Sequence, residues 1–335
     1  MVGYRLTVGN TAHESSAPVT DQPPLIAAPA THRQRYALIA AAIVVVAAII
    51  IGIVVVSGNA SKSSAAEASA KGSANDPVTI GVVGKSDPYW AVYQNAALSA
   101  GIHIDLVNFT DYTRENPAVT SGDLDLNQFQ HIAYLAQYNV KAGADLIPIG
   151  STAIYPLGLY STKYASVKDI PAGATVAIPN DASNLARGLL ILKGAGLITL
   201  KGGGDIFSTL SDIDTARSKV TVITLEPSLT PTSLPDVAAA IINNDYVKDA
   251  GLTVKDAIAE DDARDPSALP YVNLFVARPG DKNIALYRKL VSIYQNTKAV
   301  TDGVIETSGG TAILLKTPAA DLVKSLTAVE AKTSK

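Results

Sequence analysis

Twenty consecutive residues without a polar group, ALIAAAIVVVAAIIIGIVVV from Ala37 to Val56, constrain this chain more than any other feature. As a helix the run is about 30 Å long, the thickness of a bilayer core. Arg33 and Arg35 stand just before it, whereas the first cation after it is Lys62. The positive-inside bias therefore places the N-terminus in the cytoplasm and everything after Val56 outside. A cleaved signal peptide competes with this reading, because Gly58-Asn59-Ala60 has the small residues a signal peptidase takes. The long leader and the length of the run favour a retained anchor. The expected order is a disordered cytoplasmic tail over 1–35, a transmembrane helix over 36–56 and a flexible small-residue linker over 57–76 that reaches roughly 25 Å.

From residue 77 to 335 short apolar runs alternate with helical stretches. The runs are Val78 to Val83, Ile104 to Phe109, Leu146 to Ile149, Thr175 to Ile178, Val220 to Leu225, Ala238 to Ile242 and Val272 to Ala277. Helices are expected over Trp90 to Ala100 and Phe129 to Lys141, and again over Asn283 to Gln295, behind an Asp281 cap, and Pro318 to Glu330. This is an α/β rhythm too long for one sheet. Two lobes follow: lobe 1 over about 77–155 and 272–335, lobe 2 over about 160–268. The segment Gly122 to Leu135 reads as the start of a helix.

The charge balance excludes one partner class. A formal net charge of -3, a pI near 5.8 and no block of Lys and Arg do not suit nucleic acid. With no cysteine, disulfides, thiolate metal sites, a thiol nucleophile and a lipid-modified cysteine are ruled out. Phosphate-binding and nucleophile-elbow motifs are absent, and Gly202-Gly203-Gly204 lacks the strand-to-helix setting of a dinucleotide loop. No enzyme chemistry, cofactor or metal is expected. Asp261-Asp262 reads as solvated loop.

Three places carry candidate binding residues. In IPNDASNLARGLLIL a strand runs into a helix capped near Asp181 or Ser183, and Asn184 and Arg187 share a face near its N-terminus. A carboxylate is well held there by free N–H groups, the helix dipole and a two-pronged guanidinium. An ordinary surface arginine on an amphipathic helix fits the same spacing. Asn243, after an apolar strand, can donate and accept at a strand end, and an Asx turn explains it equally well. Phe129, His131 and Tyr134 can border a cleft at a helix start, or Phe129 and Tyr134 can be core with His131 a polar N-terminal residue. His131 and His103 lack the companions of a metal site.

Six segments in order, FTDY, FQHIAYL, YPLGLYSTKY, IPNDASNLAR, AIINNDY and PYVNLFV, resemble the NlpA lipoprotein family, the methionine-binding subunits of ABC importers. The likeness runs from Val78 to the C-terminus. It implies two hinged α/β lobes with a ligand in the cleft between them, and delivery to a permease with a cytosolic ATPase. By position, Arg187 corresponds to the group that grips the ligand carboxylate, and Asn184 and Asn243 to polar contacts. Tyr112, Phe129, His131 and Tyr134 correspond to the wall and rim of the side-chain pocket.

Two departures stand out. The family's lipid-anchoring cysteine is missing, and the helix over 36–56 replaces the lipid as anchor. The loop Lys85 to Trp90 lacks the histidine common in that place, and Trp90 is expected to close over the ligand. The expectation is a single-pass, membrane-tethered extracytoplasmic binding protein for methionine. Its rivals are a receptor for another apolar amino acid or small peptide, an extracellular hydrolase or lyase with a carboxylate or activated hydroxyl beside Arg187, and a surface adhesion module.

Overall fold

The computed structural model describes residues 71–333. The expected tail, the membrane helix and most of the linker lie outside them. Among the described residues no helix is long and apolar enough to cross a membrane.

Lobe 1 is built on a five-stranded sheet in the order β2-β1-β3-β11-β4. Its strands are β1 (Val78–Val83), β2 (Ile104–Phe109), β3 (Leu126–Gln128), β4 (Ile147–Ser151) and β11 (Leu274–Ala277). β1 lies parallel to β2 and β3, while β11 runs antiparallel to β3 and β4. Helices cover both faces, so β1 is buried along almost its whole length, which is why VTIGVV shows no polar alternation. Pro88 opens α1 (Pro88–Ser99), where its missing N–H leaves no bond unmade. Tyr89, Trp90 and Tyr93 then pack with Tyr294 and Phe275 into one aromatic cluster, with Tyr93 and Tyr294 5.3 Å apart. Gly150 lets α5 (Ala285–Asn296) close on β4, because a Cβ there would collide with Val291. α6 (Lys298–Thr307) and α7 (Ala319–Thr333) complete the lobe.

Lobe 2 carries a second five-stranded sheet in the order β10-β6-β9-β7-β8. The strands are β6 (Gly158–Tyr160), β7 (Thr175–Pro179), β8 (Thr221–Leu225), β9 (Ala239–Ile242) and β10 (Ala259–Glu260). β7 is parallel to β8 and β9. Two chain segments cross between the lobes, one through β5 (Ala153–Ile154) and one through the 3-10 turn Pro266–Tyr271. β5 is paired with β12 (Ile313–Leu314).

Three local expectations are corrected and one helix went unread. The stretch Gly122 to Leu135 first forms β3, pairing Ile80 with Leu126, and the helix α3 (Ile132–Ala142) starts only after it. α5 begins at Ala285 behind Ile284, whose side chain cannot cap it, and Asp281 is ion-paired with Arg278 at 2.7 Å. α6 had no signal read from the sequence. The linker expected over 57–76 is already structured at its end. Lys71 reaches Asp125 at 2.8 Å, and His103 donates its backbone N–H to Gly72 at 2.7 Å.

Candidate functional site

The carboxyl ends of β2, β3, β7 and β9 converge on the cleft between the lobes, where open α/β sheets place ligands. From lobe 1 come Tyr112, in the turn between β2 and α2 (Glu115–Ser121), and Phe129, His131 and Tyr134, at the junction of β3 and α3. From lobe 2 come Asn184 and Arg187, on α4 (Ala182–Gly194), and Asn243, at the end of β9. All seven line one cavity. Its atom-free space is about 530 Å³ counting the open solvent at its mouth, and aromatic and polar side chains from both lobes line it.

Trp90, expected to close over the ligand, does not line it. It is 1% exposed and packs 4.9 Å from Tyr89 and 5.9 Å from Tyr294, ring centre to ring centre, in the core of lobe 1. Pro88 starts α1 early enough to turn Trp90 onto the apolar face of that helix.

Arg187 is 5% exposed, so it is not a surface arginine. Its Nε and Nη2 donate to the two oxygens of Asp261 at 2.5 and 3.0 Å, and Nη2 also to the Tyr155 carbonyl at 2.8 Å. Its Cζ lies 4.3 Å from the centre of the Tyr271 ring, a cation–π contact. Asp261 thus leaves the solvated loop assigned to it and takes the two-pronged edge of the guanidinium. It also accepts from the Leu157 backbone N–H, so the carboxylate beside Arg187 is fully engaged. Nη1 has no protein partner among the described residues.

His131 caps α3: its Nδ1 accepts from the Tyr134 backbone N–H at 3.2 Å. Nε2 therefore carries the proton and donates across the cleft to Asn184 Oδ1 at 3.2 Å. The Asn184 amide nitrogen donates in turn to both oxygens of Asp181, at 3.1 Å each, and Asp181 caps α4 through the Asn184 backbone N–H. Burial, reinforced by the Arg187 charge, lowers the His131 pKa to about 3. A neutral, doubly bonded imidazole neither shuttles protons nor binds metal. Among the described residues no three His, Asp or Glu side chains gather as a metal site.

The apolar wall is three rings. Phe129 lies 5.6 Å from both Tyr112 and Tyr134, which are 6.0 Å apart, and the Tyr134 hydroxyl donates to the Tyr112 carbonyl at 2.9 Å. Behind it Asn116, Asn127 and Gln130 form a closed amide network with bonds of 2.5 to 2.9 Å. Asn243 makes no Asx turn; its Oδ1 is buried without a partner. Tyr155, Asp245 and Asn273 also line the cavity. Each lies within or beside a segment quoted for the family likeness, yet no spacing marked it.

Two α/β lobes joined by two crossings around a cleft of aromatic and polar side chains define a two-lobe substrate-binding fold. The chain belongs to the NlpA lipoprotein family, whose model matches residues 78–314. Outer membrane lipoprotein 1 of Mannheimia haemolytica is 36% identical over 253 residues, 72% of this chain and 90% of that one. The D-methionine-binding lipoprotein MetQ of Escherichia coli strain K12 is 38% identical over 224 residues, 65% of this chain and 81% of that protein. A nutrient binding protein from Burkholderia cenocepacia, solved bound to methionine, superposes with a TM-score of 0.66 at 36% identity, covering 71% of this chain and 99% of that one.

Proposed function

We propose that this protein is the extracytoplasmic substrate-binding subunit of an ABC importer and takes methionine in the interlobe cleft. The observation that carries the reading is the pairing of an open donor with an orphaned acceptor in one interlobe cavity. Arg187 Nη1 is free for a carboxylate, Asn243 Oδ1 lacks a donor, and the Tyr112, Phe129 and Tyr134 rings offer a wall for a thioether side chain, which packs well on aromatic edges. Relatives named for methionine support the choice of ligand. The lobes open and close about the two crossing segments, and the closed form is presented to a permease with a cytosolic ATPase. We further propose that the helix over 36–56 tethers the domain to the cell membrane in place of a lipid, with the N-terminus cytoplasmic.

Thermal unfolding with a panel of amino acids tests the reading. A ligand at a thousandfold excess over its Kd adds about 4.1 kcal/mol, a shift of roughly 8–16 °C for a domain of this size. Methionine, L or D, is expected to give that shift. A panel in which leucine and isoleucine match it replaces methionine by a broader apolar ligand, and no response at all overturns the proposal.

A further inference from the structure

We propose that Asp245 sets the ligand class of the cleft: its carboxylate receives the ligand's ammonium group, so the site selects molecules with a free amine beside the carboxylate. The inference rests on the amino-acid-binding reading above. Of the charged side chains lining the cavity, Arg187 is neutralised by Asp261. Asp245 has no ion-pair partner among the described residues. The nearest ammonium, Lys248 on the same turn, is held by Asp87 at 2.7 Å. One oxygen of Asp245 accepts from the Tyr112 hydroxyl at 2.7 Å across the cleft, and the other has no partner among the described residues. Two residues earlier Asn243 Oδ1 is likewise without a donor. One turn of lobe 2 thus offers the cavity an uncompensated anion and an orphaned acceptor, with nothing of its own to donate to them.

An alkylammonium has three N–H donors and one positive charge. Seated on this turn it supplies both missing partners while the carboxylate meets Arg187 Nη1. A hydroxy acid brings one donor and no charge, and an N-acylated amino acid brings bulk without charge, so both leave Asp245 uncompensated.

The pairing also gives the affinity a pH dependence. The groups facing Asp245 are Tyr112, from the turn before α2, Asp87, from the loop before α1, Tyr89, on α1, Glu115, at the start of α2, Tyr155, just after the crossing strand, and Lys248 and Tyr246, on its own turn. Burial lifts the Asp245 pKa to about 6; the Tyr112 hydrogen bond and Lys248 oppose the rise and Asp87 adds to it. Only the ionised form pairs with an ammonium. Affinity is therefore highest above this value and falls as the pH drops through it, by about tenfold between pH 7.5 and 5.

Titration calorimetry with L-methionine and its 2-hydroxy analogue, on the wild type, Asp245→Asn and Tyr112→Phe, tests the proposal. Asp245→Asn is expected to lose at least about tenfold for methionine at pH 7.5, to lose little for the hydroxy analogue, and to bind methionine with no change between pH 7.5 and 5. Equal losses for both ligands, matched by Tyr112→Phe, mean that Asp245 only latches the lobes through Tyr112, and overturn the proposal. So does a wild type that binds the hydroxy analogue as tightly as methionine, a comparison that stands even if Asp245→Asn does not fold. Methionine binding unaffected by Asp245→Asn overturns this inference alone. A wild type that binds neither enantiomer of methionine overturns the amino-acid reading and this inference with it.

Discussion

The His131 ring of lobe 1 and the Asn184 amide of lobe 2 meet across the cleft, Nε2 to Oδ1 at 3.2 Å, and each is oriented from its own side. The capped backbone of α3 fixes the His131 tautomer. The Asp181 carboxylate fixes the Asn184 flip, since only the amide nitrogen can face it. With the His131 pKa lowered to about 3, the ring stays neutral throughout the physiological range. NMR of the His131 ring nitrogens should show one Nε2–H tautomer with no titration between pH 5 and 8. A transition near the ordinary histidine value would contradict the assignment.

On the proposed reading, Arg187→Ala should abolish methionine binding and also weaken the empty protein, because the ligand carboxylate and Asp261 would lose the same cation. Losing one partner of a buried charge pair costs on the order of 3–5 kcal/mol; Asp261 is partly exposed, so the stability loss falls below that range. Arg187→Lys should restore little, since an ammonium cannot span both oxygens of Asp261 and still reach the ligand. Calorimetry that finds less than a tenfold loss for Arg187→Ala removes this residue from the site.

Trp90→Phe should leave the methionine Kd within about twofold and lower the melting temperature, since the indole fills lobe 1 and does not line the cleft cavity. Trp90→Ala should cost about 3–5 kcal/mol of stability. A large change in Kd for Trp90→Phe, at unchanged stability, would return Trp90 to the cleft.

Glu115 is fully buried with neither oxygen bonded, and Oε2 would lie 3.0 Å from a Cβ at Gly81. Burial, with Asp245 and Asp111 adding to it, raises its pKa well above the usual carboxylate range. The folded protein thus holds a proton that the unfolded chain releases above about pH 4.3. This group's contribution to stability is complete below that pH and declines as the pH rises towards the folded pKa, by about 1.4 kcal/mol per pH unit. Glu115→Gln should remove that decline and melt higher than the wild type at pH 8. Denaturant titrations of both proteins at pH 5 and pH 8 check the slope, and parallel pH profiles would show that Glu115 is charged in the fold.

A chain that begins at Pro77 should be less stable than one that begins at Lys71, because it loses the ammonium that bonds Asp125 at 2.8 Å. Asp125 keeps Thr79 and Tyr287 as donors, so the cost is about 1.5–3 kcal/mol, that of a hydrogen bond to a charged group. Burial works against the Asp125 charge, but the bonds from Lys71, Thr79 and Tyr287 hold its pKa below the usual value. The difference between the two chains is therefore present at neutral pH and fades as the pH falls through the Asp125 pKa. Melting curves at pH 7 and pH 3 measure it.

Strands with both faces buried were legible in the sequence because their signal is local: VTIGVV and AAII need no partner to look apolar. Helix ends were legible where a side chain acts on its own turn, as Asp181 does on α4. The same information placed Arg187 and Asn184 together, three residues apart on one helix. β3 was not legible, because LNQ is polar and becomes a strand only where β1 and β11 supply its hydrogen bonds. Trp90 looked like a lid because a large ring in a loop-like segment has no local sign of which way it faces; the Tyr294 and Phe275 rings that receive it come some two hundred residues later. Asp261 looked like a solvated acid for the same reason, and nothing local marked Asp245. Their partners, Arg187 and Tyr112, are distant in sequence, and a carboxylate's charge state is set by what surrounds it in space. Sequence by itself determined which segments bury apolar surface, and so the two-lobe class. Which charges are spent on one another and which are left facing the cleft was decided only when the tertiary structure brought distant side chains within hydrogen-bonding distance.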